Sequence, residues 1–505
     1  MKKFLKIYFL AFILILNACD DFLSERPTKS SSIVPSTIAD METILVGIWR
    51  SDNVSPYLIF GGGDIELNAE LERRLPGSYP IYFVQAGTWE REISGTNKDY
   101  MWMYRYQNIF RSNMVFYYID NISATAEQKQ YVKSKASFRR AYSYMELLNI
   151  YTLPYNQANL NEPGLVLTDK IGFDYSLVRA SLKETYEFIE KDIKEALKIT
   201  VELNAKFGQG SSYRVTNASA NALAARFYLM KHDYTNAKKC AQAALDKYGV
   251  SNIMNYNQIG YSSRVDNSTI TIDGKVINFQ VKYPNTQFNY DLTNQWTEDY
   301  FISSTMTGFS ASSLIDIIPS KSHIANFETD GGSEYDARWK YFYVKNYFYL
   351  NNKPIDVPAY LKPRNYCITV PEMLLTVAEC EARAGDFNKA IQLVNQLRAK
   401  RVDPAGMVNL TAANKDEAIA IVIRERRRET GPFNRLFDIR RYNSNDYAAD
   451  DITVEQEFYS YSALSVDLSS PVKKYQLKPG DRKYAALIPA DDILAGNGEI
   501  KQNTY

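Results

Sequence analysis

Two stretches far apart in the chain carry one pattern in register, and this repeat limits the fold more than any other feature. Asp233-Tyr234-x-x-Ala237 returns as Asp386-Phe387-x-x-Ala390. Each copy joins two runs whose small or apolar residues recur at helical spacing. In the first unit Ala218, Ala222, Ala225 and Leu229 precede the turn, and Ala237, Ala241, Ala244 and Leu245 follow it. In the second, Leu374, Leu375 and Ala378 precede it, and Ala390, Leu393, Val394 and Leu397 follow. Small residues on facing stripes let two helix axes approach closely, so each unit reads as a helix–turn–helix hairpin.

Such a hairpin resembles the tetratricopeptide repeat. Two plain copies are fewer than a stacked array needs, and earlier helical patterns over 99–119, 126–150 and 181–199 supply candidates for degenerate units. Ser181-Leu182-Lys183-Glu184 has the form of a capping box opening the last of these. The predicted fold class is mostly α, with tetratricopeptide-like helix pairs as scaffold over 99–248 and 370–442, long irregular loops and small β-hairpins. Between the scaffold halves lies an insertion, 249–366. A connection that long is functional or carries structure of its own. Asp273-Gly274 predicts a hairpin turn there, and Asn351-Asn352 a second.

The chain opens with Lys2, Lys3 and Lys6, then an apolar run from Ile7 to Leu16. This is the layout of a secretory signal, and the run falls short of the roughly 20 residues that span a bilayer. Leu16-Asn17-Ala18-Cys19 reads as a lipobox. Residues 1–18 are then a signal peptide, Cys19 is the lipidated new N-terminus, and 19–37 is a polar tether to the membrane.

A formal net charge of +1 supplies no general field for nucleic acid. Two histidines argue against a histidine-rich metal site or a catalytic triad. His232 reads as an exposed turn residue. Apart from Cys19, the cysteines are Cys240, Cys367 and Cys380, an odd set without metal-type spacing. Gly61-Gly62-Gly63-Asp64 lacks the Gly-Lys-Ser/Thr ending of a phosphate loop and reads as a tight loop. The charged run 424–429 interleaves arginine with glutamate, which predicts ion pairs within the fold. No cofactor, metal ligand or catalytic residue is assigned.

Several motifs together resemble the RagB/SusD family, the surface nutrient-binding lipoproteins of Bacteroidetes. Cys19-Asp20-Asp21-Phe22-Leu23 with Pro27 is similar to the family's start. Trp102-x-Tyr104-x-x-x-Asn108-Ile109 with Asn113, and Phe138-Arg139-Arg140-Ala141 through Tyr151 and Pro154, resemble its early helices. Arg424-Glu425-Arg426 through Glu429, Gly431, Arg435, Asp438 and Arg441 resemble its late charged motif, and Ile488-Pro489 its ending. The sequence departs from the family pattern at Thr152 and at Thr430-Gly431-Pro432. The resemblance implies one helical domain over 38–505, with Trp102, Arg140 and Arg435 as scaffold. It also implies a SusC-like TonB-dependent transporter as partner, at the outer membrane and facing outward.

The leading expectation is a receptor that binds oligosaccharide or polysaccharide without catalysis. Sugar rings present apolar faces that flat aromatics cover, and a hydroxyl rim that amides and charged groups bind. The loop candidates are Trp296 with Asn294 and Gln295, then Trp89 and Tyr82, then Tyr290 and Tyr300. One alternative is the same receptor role for peptides. Another is a surface glycoside hydrolase, which requires two carboxylates about 5–9.5 Å apart that sequence spacing does not single out.

Overall fold

A computed structural model describes residues 34–46, 55–89, 100–172, 175–203, 214–272, 274–284, 298–304, 318–350, 353–360 and 366–505. The leader, Cys19, Tyr290, Asn294, Gln295 and Trp296 lie outside the described residues. The main helices are α1 (Ile38–Val46), α2 (Tyr100–Tyr118), α3 (Ala126–Tyr151), α4 (Leu182–Ala196), α5 (Asn217–Met230), α6 (Tyr234–Lys247), α7 (Val370–Ala384), α8 (Phe387–Arg398), α9 (Lys415–Thr430) and α10 (Pro432–Tyr442). Along the scaffold α2 packs on α3, α3 on α4, α5 on α6, α7 on α8 and α8 on α9. Helix α6 packs directly on α7, so the stack continues across the insertion as if it were absent. Among the described residues no helix is long and apolar enough to cross a membrane.

Local chemistry sets the helix boundaries. Capping boxes open α3 at Thr125/Gln128, α4 at Ser181/Glu184 and α5 at Thr216/Ser219, each satisfying orphan N–H groups of the first turn. The repeated motif has a plain physical meaning. The carboxylate of Asp233 accepts from Asn236 N and that of Asp386 from Lys389 N, both at 3.0 Å, so each aspartate caps the second helix of its pair. Ala237 and Ala390 lie fully buried on the inner faces. Gly385 ends α7 in the left-handed region at φ 97°, and His232 holds the matching place after α5 at φ 58°.

His232 is therefore not a free turn residue. It is half-buried, and its Nε2 lies 2.9 Å from the carbonyl of Arg441. Burial, with the Arg441 charge beside it, pushes its pKa down to about 4. The unfolded chain takes a proton here below the ordinary value of about 6.5, and the folded chain refuses it until about 4. Stability should thus fall as pH drops through that window, by at most about 3 kcal/mol from this group. His232→Asn tolerates the left-handed backbone and does not titrate. Its unfolding free energy, measured against pH from 7 to 4, should fall less steeply than that of the parent; equal slopes would remove His232 from the account.

One core cluster runs from Tyr57 to Ile500 and includes the inner faces of the α3–α10 stack. A smaller one seats α1, through Met41 and Leu45, on Val115, Ile119 and Val132. The run 424–429 forms ion pairs within the fold. Arg426 reaches Asp438, Arg428 reaches Glu425, and Glu425 and Glu429 both meet Arg338, at 2.8–3.0 Å. Cys240, Cys367 and Cys380 are buried.

The insertion is built of antiparallel pairs. Tyr261–Ile272 pairs with Lys275–Pro284 and Tyr343–Leu350 with Lys353–Tyr360, the two hairpins expected, though longer than expected. Asp299–Ser304 pairs with Tyr366–Thr369 and so fastens the insertion's descending and ascending limbs together at the scaffold. Arg401, following α8, ties that base down. It donates to Glu298 at 2.8 Å, to the Met254 carbonyl at 2.7 Å and to Glu429 of α9 at 2.8 and 2.9 Å.

Candidate functional site

A cleft of about 710 Å³ opens where three distant parts of the chain meet above α9 and α10. The first wall is residues 62–70, which follow the short helix Pro56–Phe60 and enter the helix Ala69–Arg74. The second is Ser320–Ser322 of the insertion, and the third is residues 452–457 near the C-terminal strands. Backbone pairing locks the three together. Ile65–Glu66 pairs antiparallel with Ile318–Pro319, Ser320 N donates to Asp64 O at 2.8 Å, and Gln456 Nε2 donates to Leu67 O at 3.0 Å. The strand Val454–Phe458 alternates buried and exposed, which turns Glu455 and Glu457 outward while Val454 and Gln456 face in.

The glycine run makes this assembly possible by close approach. A Cβ on Gly62 would stand 3.0 Å from Cβ of Arg435, and one on Gly63, at φ 71°, would stand 2.3 Å from Val454 Cγ1. The run is thus a contact with α10 and the third wall, and not a phosphate cradle.

At the floor lies a buried charge cluster. Asp64 is fully buried and accepts from Arg427 Nε at 2.7 Å. Burial pushes its carboxyl up, but Arg427, His323 and Arg435 outweigh that and hold it well below the usual carboxylate range. His323 Nδ1 lies 3.4 Å from Asp64 Oδ2, and its Nε2 lies 2.6 Å from the Tyr343 hydroxyl. Burial lowers the pKa of His323, which leaves it neutral near pH 7. Arg427 also donates to Ser322, at its carbonyl and its hydroxyl. Glu66 at the wall has its pKa raised by burial, against a hydrogen bond from Asn68 at 3.2 Å. The cleft offers amides, carboxylates, hydroxyls and guanidinium groups beside apolar side chains such as Leu67, Ile439 and Val454, a set that suits a ligand with both hydroxyls and apolar faces.

Of the residues expected to bind from sequence, the three that are described, Trp89, Tyr82 and Tyr300, do not line this cleft. Two of them are corrected by burial. Trp89 is 2% exposed, belongs to the main core and donates Nε1–H to the Gly61 carbonyl at 3.1 Å. Tyr300 is fully buried and donates its hydroxyl to the Tyr248 carbonyl at 2.7 Å. Neither ring has a face left for a ligand. Tyr82 is half-buried, with its ring edge-on to Phe83 at 4.5 Å and burial raising its pKa. Sequence reasoning passed over Glu66, Asn68, Lys321 and Gln456, which are ordinary polar residues until the pairing of distant segments brings them together. Arg435 was read as scaffold. Its stem packs on Gly62, as that reading expects, while the residue also lines the cleft.

A family model described as "Starch-binding associating with outer membrane" matches residues 21–229, and one described as "SusD family" matches 234–505. No curated protein matches. Solved structures share the fold at low identity. A SusD superfamily protein of Bacteroides thetaiotaomicron is 16% identical with a TM-score of 0.66, over 93% of this chain and 100% of that one. One from Bacteroides fragilis is 18% identical with a TM-score of 0.63, over 93% and 100%. The surface glycan-binding protein A of Bacteroides uniformis is 15% identical with a TM-score of 0.57, over 92% and 98%. The two family models meet at the turn between α5 and α6, the turn of the first repeated hairpin, and between them take in the scaffold, the insertion and all three walls of the cleft; the chain belongs to the SusD family.

Proposed function

We propose that this protein is a cell-surface lipoprotein, anchored through Cys19, that binds oligosaccharide or polysaccharide and passes it to a SusC-like TonB-dependent transporter of the outer membrane. The observation that carries the reading is the cleft of mixed polar and apolar lining, assembled from the insertion and two other segments on a helical scaffold. A binding site placed on loops over a rigid stack is the usual division of labour. The family description, which pairs starch binding with outer-membrane association, and the glycan-binding name of one structural relative support the same class of ligand. In this reading the protein has no catalytic residue, and binding is its whole task. Trp296, with Asn294 and Gln295 beside it, is the proposed stacking platform, followed by Tyr290 and Tyr82. Stacking on one such ring contributes about 0.5–1.5 kcal/mol beyond the area it buries.

The test is a binding screen of the full chain in detergent against polysaccharides, oligosaccharides and mixed peptides, with Trp296→Ala alongside. Saturable glycan binding, at least several-fold weaker in the variant, is expected, with no release of reducing ends. Binding of peptides alone, undiminished by the substitution, would overturn the ligand class. Turnover of any glycan would overturn the receptor role.

A further inference from the structure

Arg435 has an unsettled charge. It is 6% exposed, yet its Nε has no hydrogen-bond partner. The nearest carboxylate oxygen, Asp64 Oδ1, is 3.8 Å away and already occupied by Arg427 at 2.7 Å. Burial, and Arg427 beside it, push the pKa of Arg435 down, as expected of a cation with too little compensation. With His323 neutral, Asp64, Arg427 and Arg435 leave one positive charge at the floor.

Apart from Asp64 at the floor, no described carboxylate of the walls forms an ion pair with Arg435, and cations of the surface hold two of them. Glu70 is held by Arg73 and Arg74 at 2.5 and 2.8 Å. Glu455 is held by Lys474 at 2.8 Å, and Glu457 stands opposite Lys474 in the strand register. Glu66 accepts from Asn68, and the Lys321 charge acts on it without an ion pair. A buried guanidinium that faces a cleft and lacks a carboxylate is a planar, forked donor for one.

We infer that the glycan received by this cleft carries a monoanionic group, the carboxylate of a uronic acid or a sulfate ester, and that Arg435 at the floor receives it, with Lys321 at the rim. The inference rests on the receptor reading above and narrows it from sugars in general to acidic ones. The glycine run acts in the same place. The stem of Arg435 passes beside Gly62 without a side chain between, and both residues line the cleft.

The probes are D-glucuronate and D-galacturonate, galactose 6-sulfate and glucose 6-sulfate, and the neutral parents glucose and galactose. Each is tested by thermal shift and calorimetry on the full chain in detergent, beside the general glycan screen. At least one acidic sugar should bind tenfold or more tighter than its neutral parent, and the preference should weaken as salt rises. Uronate and sulfate arms separate the two sources of charge. Arg435→Gln should abolish the preference and Arg435→Lys should keep part of it. Because Arg435 is buried, the exposed rim variant Lys321→Gln decides the matter if Arg435→Gln fails to fold, and it should reduce the preference several-fold. Equal binding of acidic and neutral sugars, or a preference untouched by the variants, overturns the inference while the receptor reading stands. Glycan binding in the screen with none of the acidic probes preferred has the same meaning. Absence of binding to every glycan overturns both.

Discussion

Arg401→Ala is expected to lower the unfolding free energy by about 3–5 kcal/mol, the usual effect of removing one partner from a buried ion pair. The side chain is fully buried, and so are its partners Glu298 and Glu429. Its guanidinium lies 3.7 Å from the centre of the Tyr256 ring, and the Tyr256 hydroxyl donates to Glu298 at 2.7 Å. Truncation therefore leaves two carboxylates in the interior, of which Glu429 keeps Arg338 at 3.0 Å and Glu298 loses the Arg401 guanidinium. Glu298→Gln in the Arg401→Ala background should recover part of the loss, because it removes the charge left behind. Full additivity of the two substitutions would mean that the pair is not coupled. The effect should also be directional. Arg401 joins the base of the insertion to α9, so limited proteolysis of the variant should begin within 249–366 before the helical stack is cut. Simultaneous cleavage everywhere would place the role of Arg401 in the whole core instead.

The scaffold was legible because its determinants are local. Asp233 and Asp386 announce themselves as caps, Ala237 and Ala390 as inner-face residues, and Ser181 with Glu184 as a box, all within four residues of one another in the chain. The ion pairs of α9 were legible for a related reason: interleaved opposite charges with no net excess satisfy one another. The cleft was not legible, since its geometry depends on Glu66 pairing with Ile318 and on Gln456 reaching the Leu67 carbonyl. Nothing near any of these residues in sequence marks such contacts. The short strand Val454–Phe458 has the alternation of a half-buried strand, but five residues among polar neighbours read equally well as loop. The choice of loop aromatics misled in one respect. Rings such as Tyr300 are core in spite of their loop-like surroundings, with the hydroxyl satisfied by a backbone carbonyl, so aromatic content marks the site only after burial is known.

Trp89 separates the two readings most sharply. As a sugar platform it would be dispensable for folding, and Trp89→Ala would cost affinity alone. As a core residue under the glycine loop it should cost about 3–5 kcal/mol of stability on truncation to alanine. Trp89→Phe keeps most of the buried ring but removes the donor to the Gly61 carbonyl, for which about 1 kcal/mol is expected. Urea unfolding of the three proteins should therefore rank them parent, Phe, Ala, and the Phe variant should keep the parent's glycan affinity while folded. The converse result, parent-like stability with lost binding, would return Trp89 to the ligand surface. The position of Gly61 argues against that converse on physical grounds. The Trp89 hydrogen bond holds the carbonyl of the first glycine in the run, and two residues later the chain must pass Val454 with no room for a side chain. An aromatic ring that pins this loop shapes the cleft from beneath, and its influence on ligand binding is expected only through the loop it holds.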